Sequence, residues 1–475
     1  MQEQYIPSSL WFILSNFASC FTRPSFENFV VLVMGWLQCP GRHTISRVIQ
    51  AAGRLAANKH HSSYYRFLSR GRWHADSLGR TLFSLLLPYL PNEITALVDD
   101  TLCHRSGPHL FAGGMHHDAS RSTYGGRGAG KAKVFFSFGL NWVVLAVWVP
   151  LPWNKDRGWA APILFRLYRS PKTCPNSHYC KRTELASDMV RVLLSWLPQG
   201  RTLHLVGDAE YACETVVRHL PQEVTFTGPM AMNAALYAPV TKAPGGRGRR
   251  PKRGKRLPSP KKLAERSRVK WTSVRVLIYG QEVTIKVKTQ ICMWYRVSGP
   301  RLVRMVVTRD PRGLIKDRAY FCTDPDLLVE QMLVCFARRW QIEVAFREAK
   351  QAIGLEDPQN GWWRRGHRSR APKKRAGPNP RGRRGEIAAR HTLPLAFTAY
   401  AIVVLWYLKH GNPERDVHRA RNEAPWYRHK ATPSFTDMLV ALRRQIWARR
   451  ISRYPSLRPV CKKILDLLPG WLLAA

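Results

Sequence analysis

From residue 1 to about 92 the apolar positions recur at helical intervals: Leu55, Tyr64, Leu68, Leu78, Leu82 and Leu86 mark helices separated by short polar turns. Within this region SRVIQAAGRLAANKHHSSYYRFLSRGRW is rich in cations and carries two adjacent tyrosines. It reads either as a small helical DNA-binding unit or as a helical cap on the domain that follows. From Pro91 the pattern changes to strands. EITALVDDT is a short apolar run that ends in two acids. KVFFSFGL and WVVLAVWVP predict two more strands, joined by a turn into a hairpin. The intervening GGMHHDASRSTYGGRGAGK is glycine-rich and basic, but its spacing matches no phosphate-binding loop. Residues 187–197 predict a helix, RTLHLVGDAEY a strand ending in an acid, the stretch from about Cys213 to Leu220 a helix, and VTFTGPM a strand. Such an order belongs to an α/β domain.

Residues 242–270 interrupt the pattern. Twelve of residues 247–270 are Lys or Arg, and the Gly and Pro among them predict a loop. GRGRRPKRG within it suits general phosphate contact or, more loosely, an arginine arm in a narrow minor groove. Next, WTSVRVLIYGQEVTIKVKTQICMWYRV and RLVRMVVTRD alternate with period two and predict an antiparallel β insertion. Its aromatics Trp271, Tyr279, Trp294 and Tyr295 suit a sheet surface or core. Helix returns at about Pro325, capped by Thr323 or Asp324, and runs unbroken to Ile353, where Gly354 ends it. Residues 364–385 predict a second basic loop, and 388–475 predict helices.

Charge changes the picture most. The chain of 475 residues has 76 Lys and Arg against 31 Asp and Glu, a formal +45. An excess of that size repels itself unless a polyanion neutralises it, and nucleic acid is the natural partner. Apolar residues make up 45% of the sequence, enough for sizeable cores. Ten cysteines without a CxxC pair fit a reducing compartment. Cys174, His178 and Cys180 supply too few ligands for a structural zinc site and read as loop residues. The polar N-terminus predicts no secretory signal. Phe29–Cys39 and Leu393–Leu408 fall short of the ~18–20 residues of a membrane span, and Phe135–Trp153 is broken by Ser137, Gly139, Asn141 and Pro150. The expectation is a soluble protein.

Three acids stand out by position: Asp99 and Asp208 at strand ends, and Glu343 on a helix among Arg339, Arg347 and Lys350. Each taken alone fits a turn cap or an ion pair on a helix. Taken together, two carboxylates at the ends of neighbouring strands repel unless a cation binds between them, and hard oxygen donors suit Mg²⁺ or Mn²⁺. Arg339, Glu343, Arg347 and Lys350 share one side of the helix.

FARRWQIEVAFREAKQAIGLEDPQN resembles the C-terminal signature of bacterial DDE-type insertion-sequence transposases, an aromatic–x2–Arg–x3–Glu–x6–Lys pattern that falls on Phe336, Arg339, Glu343 and Lys350. The family's aromatic is usually Tyr, and here it is Phe. LVDDT at Asp99 and LVGDAEY at Asp208 resemble the contexts of the family's two Asp residues, and a β-rich insertion between the second Asp and the Glu is also a family feature. Over roughly residues 40–360, the resemblance implies an α/β fold: an RNase H-like mixed-sheet catalytic core with a β-rich insertion and flanking helical regions. The implied division is a helical DNA-binding region at 1–92, core at 93–236, basic loop and β insertion at 237–310, core with the Glu helix at 311–360, and a basic loop with helices at 361–475. It implies Mg²⁺- or Mn²⁺-dependent cut-and-paste transposition: cleavage of double-stranded DNA at terminal inverted repeats by two-metal phosphoryl transfer, then joining of the 3′-OH ends to target DNA, without a covalent protein–DNA intermediate. Asp99, Asp208 and Glu343 are the implied catalytic and metal-binding residues, with Asp100 an alternative to Asp99. Arg339, Lys350, Arg347 and Phe336, with Arg249, Arg250, Lys252 and Arg253 of the basic loop, are the expected DNA contacts. A homodimer in a synaptic complex, acting in the cytoplasm at the nucleoid without a membrane partner, completes the expectation. A related metal-dependent nuclease and a non-catalytic DNA-binding derivative are the alternatives.

Overall fold

The computed structural model describes residues 3–106, 110–122, 133–174, 178–240, 251–358, 382–468 and 470–474. Arg249, Arg250 and most of the second basic loop lie outside the described residues, as do residues 123–132 of the glycine-rich stretch.

The chain opens with helices α1 (Ser8–Ser15), α2 (Arg23–Gln38), α3 (Ile45–Ala52), α4 (Ser62–Arg70) and α5 (Ala75–Leu86). Leu55, Tyr64, Leu68, Leu78, Leu82 and Leu86, the residues that set the helical period, are all buried. They join one continuous apolar cluster that also contains the sheet and the C-terminal helices. The N-terminal helices therefore pack as a cap over the following fold.

The sheet is centred on β1 (Glu93–His104), with β2 (Gly114–His117), β3 (Phe136–Leu151), β4 (Asn154–Leu167), helix α6 (Arg182–Leu194), β5 (Thr202–Gly207), helix α7 (Glu214–Val217) and β6 (Val224–Met230) following. Across the core the order is β4-β3-β1-β5-β6. β3 runs antiparallel to β1 and β4, while β5 runs parallel to β1 and β6 parallel to β5. This is the RNase H-like mixed sheet. α5 crosses β4 so closely that a side chain on Gly79 would sit 1.9 Å from the Ile163 carbonyl oxygen.

The run over Phe135–Trp153 departs from expectation. It forms one long strand, β3, and its hairpin partner is the unforeseen β4. The residues read as breakers have partners inside the sheet. The Ser137 hydroxyl donates to Asp118 and the Asn141 amide to Asp100. Gly139 lies where a Cβ would meet the Cys103 carbonyl. β4 was hidden by Gly158 and by Pro162, which sits beside a register shift in the pairing with β3.

The stretch 236–322, which runs past the expected insertion of 237–310, contains β7 (Leu236–Tyr237), β8 (Arg256–Leu257), helix α8 (Pro260–Glu265), β9 (Thr272–Ile278), β10 (Gln281–Met293), helix α9 (Tyr295–Ser298), β11 (Leu302–Arg309) and β12 (Arg318–Cys322). Its strands extend the core sheet beyond β6 through β12, β11 and β10, giving one sheet of twelve strands among the described residues. The stretch 247–270, expected to be loop throughout, contains β8 and α8. Ser259 accepts from the Lys262 amide and Pro260 opens the helix, so capping chemistry overrides the cationic composition.

The catalytic-motif helix is also corrected. It begins at Val329 and is split into α10 (Val329–Arg338) and α11 (Trp340–Ala352), with Arg339 at the junction. Backbone bonds from Arg339 to Phe336 and from Ile342 to Arg339 tighten the joint in the 3₁₀ manner. The chain ends in α12 (Arg383–His410), α13 (Pro413–Glu423), α14 (Phe435–Ile451), α15 (Cys461–Leu467) and α16 (Gly470–Ala474). α12 is longer than the Leu393–Leu408 run suggested and is long and apolar enough to cross a membrane, but 94% of its most apolar window is buried inside this fold.

Candidate active site

Two adjacent acids on β1 face opposite sides of the sheet, because side chains alternate along a strand. Asp99 accepts from the Arg339 guanidinium at 2.8 Å and from the Asp100 amide at 2.8 Å. Asp100 accepts from Asn141 at 2.7 Å and from Arg182 at 3.1 Å on the α6 side. Arg182 also pairs with Glu210 at 2.7 Å. Asp99 alone therefore shares a face with α11. Asp208 follows β5 directly. The parallel pairing of Val98 with Gly207 sets Asp99 and Asp208 next in line on neighbouring strands. Asp208 is held by a local turn in which its carboxylate accepts from the Glu210 and Tyr211 amides at 2.9 and 3.3 Å.

Glu343 reaches this face through Arg339. One guanidinium nitrogen of Arg339 bonds Asp99, and another lies 2.6 Å from Glu343, one turn along α11. The electrostatics are strained in a particular way. Asp99 is only 9% exposed, and burial pushes its carboxyl well above the usual carboxylate range; Arg339 opposes that rise, while the Asp208 and Asp100 charges add to it. Arg339 keeps its charge firmly, since Asp99 and Glu343 outweigh the burial that disfavours it.

Lys350 has partners within the chain. Its ammonium donates to the Leu102 carbonyl of β1 at 2.6 Å and lies 3.3 Å from Glu356. Glu356 also accepts from the His104 amide at 3.0 Å, and its carboxylate lies 2.9 Å from the His104 ring. Burial works against the Glu356 carboxylate, but Lys350 and His104 hold it below its ordinary range. Arg105 adds bonds to the Leu355 and Glu356 carbonyls. Together these groups fasten the end of α11 to the end of β1 and so fix how Glu343 faces Asp99. The N-terminal cap joins the same corner: Trp36 donates to the Ile353 carbonyl and the His43 amide to Asp357.

The remaining sequence candidates are scattered. Arg347 is exposed on α11 and has no ion pair among the described residues. Phe336 packs against Tyr320, with ring centroids 4.7 Å apart. Arg253 stacks over Tyr237 and donates to its hydroxyl, and Lys252 is exposed. Of the insertion aromatics, Trp294 is buried against Phe321 and Trp271 lies between Lys288 and Arg309. Tyr279 is 62% exposed at the β9–β10 turn. Glu356, His104, Arg105 and Arg182 were missed. Glu356 stood in plain view in GLEDP, but only the folded contact with β1 gives it a role.

The donor chemistry of Asp99, Asp208 and Glu343 fits a hard divalent ion, and the guanidinium bridging two of them stands in for a cation. As arranged, no group of three or more acidic, His or Cys side chains among the described residues closes around a common point. Arg339 occupies the place between Asp99 and Glu343.

No curated protein matches the sequence. Among solved structures, a piggyBac transposase synaptic complex with hairpin DNA aligns at 10% identity over 94% of this chain and 76% of that one, with a TM-score of 0.38. The family model described as DDE superfamily endonuclease matches residues 16–296, more than half of the chain, taking in Asp99 and Asp208 and ending before Glu343. The chain belongs to the DDE superfamily endonucleases.

Proposed function

We propose that this endonuclease is a cut-and-paste DNA transposase: it binds terminal inverted repeats, cuts the DNA there and joins the freed 3′-OH ends to target DNA, acting as a homodimer. Asp99, Asp208 and Glu343 hold Mg²⁺ or Mn²⁺. A pair of such ions, when bound, would activate the attacking oxygen and stabilise the leaving one. The observation that carries the reading is that Asp99 and Glu343, far apart in sequence, are joined through Arg339, with Asp208 just past the end of the adjoining strand. Arg339 is the permanent cation nearest these carboxylates, and its planar fork suits a phosphate beside the bond that is cut. Lys350 positions α11 through Leu102 and Glu356. Exposed Arg347 meets backbone phosphates, as do Lys252, Arg253, Arg249 and Arg250.

The test uses labelled duplexes carrying the DNA that flanks the gene, with and without Mg²⁺. Asp99→Ala, Asp208→Ala and Glu343→Ala each abolish strand cleavage while duplex binding persists. Normal cleavage by any one of them defeats the assignment. Equal cutting of unrelated duplexes leaves a metal-dependent nuclease in place of a transposase.

A further inference from the structure

Two of the long acid-free stretches of the sequence meet in the fold. Between Glu27 and Asp76 there are seven Lys and Arg, and between Asp437 and Asp466 there are eight. Almost 400 residues apart in the chain, they fold against each other. Arg443 of α14 donates to the Leu37 and Cys39 carbonyls at the end of α2. Arg450 approaches the Ala52 carbonyl at the end of α3. Some of these cations find acids elsewhere: Lys59 pairs with Glu27, Arg42 with Asp357 and Arg444 with Glu423.

Three do not. Arg54, Arg450 and Arg453 surround a cavity of about 270 Å³ whose walls include Tyr5, Trp447 and Tyr454. Among the described residues, no carboxylate pairs with any of the three and none lines the cavity. Arg453 lies over the Tyr5 ring at 3.7 Å and Arg450 over Trp447 at 5.4 Å, so aromatic faces, not anions, orient the guanidinium groups. Burial depresses the Arg450 pKa with no opposing charge. Gly53 makes the arrangement possible. It ends α3 at φ +60°, a conformation open to glycine, and turns the chain so that Arg54 reaches the rim. Three converging cations without a counter-ion are costly in the protein alone and favourable once an anion arrives. The cavity is slightly smaller than the roughly 300–1,000 Å³ typical of small-molecule pockets, which suits a segment of backbone better than a free nucleotide.

We infer that the face formed by the end of α3 and the C-terminal half of α14 is a second duplex-DNA surface, separate from the catalytic carboxylates, on which Arg54, Arg450 and Arg453 grip backbone phosphates. The inference rests on the DNA-processing reading above, but it concerns binding and needs no metal. Its test is fluorescence anisotropy of a labelled 30-base-pair duplex with full-length protein, without Mg²⁺, over a range of salt. Arg54→Gln/Arg450→Gln/Arg453→Gln should weaken binding at least about tenfold and lower the slope of log K against log salt by about 2 to 3, at about 0.9 per phosphate contact. Arg54→Gln alone changes an exposed rim residue and should lower the slope by about 0.9 in a protein with wild-type thermal stability. An unchanged slope and affinity in that single variant overturns the inference. So does displacement of the wild-type-bound duplex by deoxyadenosine monophosphate at concentrations that inorganic phosphate needs tenfold to match, which would mark a nucleotide pocket. Cleavage that still depends on Asp99 in that event leaves the transposase reading standing. Conversely, Asp99-independent cleavage removes that reading without touching this surface.

Discussion

The cations of α11 and those at the end of α14 occupy opposite electrostatic settings. Arg339 and Lys350 are tied to Asp99, Glu343 and Glu356. Arg54, Arg450 and Arg453 have no carboxylate among the described residues. Positive charge is abundant throughout this chain, so its presence says little about what any one cation does. The presence or absence of an acid beside it says more. Cations paired with acids tie the candidate site together, while the unpaired ones are those proposed to meet an external polyanion.

The comparison is broken most severely at Asp99. Asp99→Asn should reduce metal-dependent cleavage to background, whereas Asp100→Asn, which removes the charge facing Arg182 and Asn141 on the other face, should keep measurable cleavage and lower stability by about 1–3 kcal/mol. Side-by-side cleavage assays and denaturant melts separate the two. Next comes Arg339→Gln. Without the guanidinium between Asp99 and Glu343, half-maximal activity should need less Mg²⁺, while the maximal rate falls because a phosphate contact is lost. A Mg²⁺ titration that shifts upward contradicts the bridging role.

Lys350→Met should cost about 1–3 kcal/mol by removing a charged donor from the Leu102 carbonyl and Glu356, with cleavage falling in parallel as α11 loosens. A variant with wild-type melting and impaired cleavage would mean that the ammonium instead contacts DNA directly. The smallest effect lies at Glu348, on the flank of α11. Burial pushes its carboxyl up to about 8, Arg347 opposes that, and the Tyr400 hydroxyl lies 3.4 Å away. A raised acid binds its proton more tightly in the folded state, so its contribution is complete below the ordinary Glu range and is lost as pH rises through about 8. Thermal unfolding between pH 5 and 9 should show that decline, and Glu348→Gln should flatten it.

Much of the site was legible before folding because strand ends and helix periods are local patterns. EITALVDDT and RTLHLVGDAEY announce rigid strands with an acid at or just past their ends, and the Arg339–Glu343–Lys350 spacing announces one helix side. The break between α10 and α11 was illegible, since nothing in FARRWQ forbids a continuous helix. β4 escaped because its Gly and Pro are excused by a register shift and close strand packing, both of which depend on neighbours. The partners of Lys350 escaped for the same reason: a carbonyl on β1 has no signature in sequence.

The sequence alone determined the cationic excess, the α/β order, the helical N-terminal leucines and the motif that relates this chain to DDE enzymes, since each follows from composition or short-range period. Tertiary structure decided which of Asp99 and Asp100 faces Glu343, because the parallel pairing with β5 and the packing of α11 fix the face. It also decided that two acid-free stretches at opposite ends of the chain become a single surface. Long-range contacts choose among arrangements that local pattern leaves equivalent, and it is those contacts that set which charges meet.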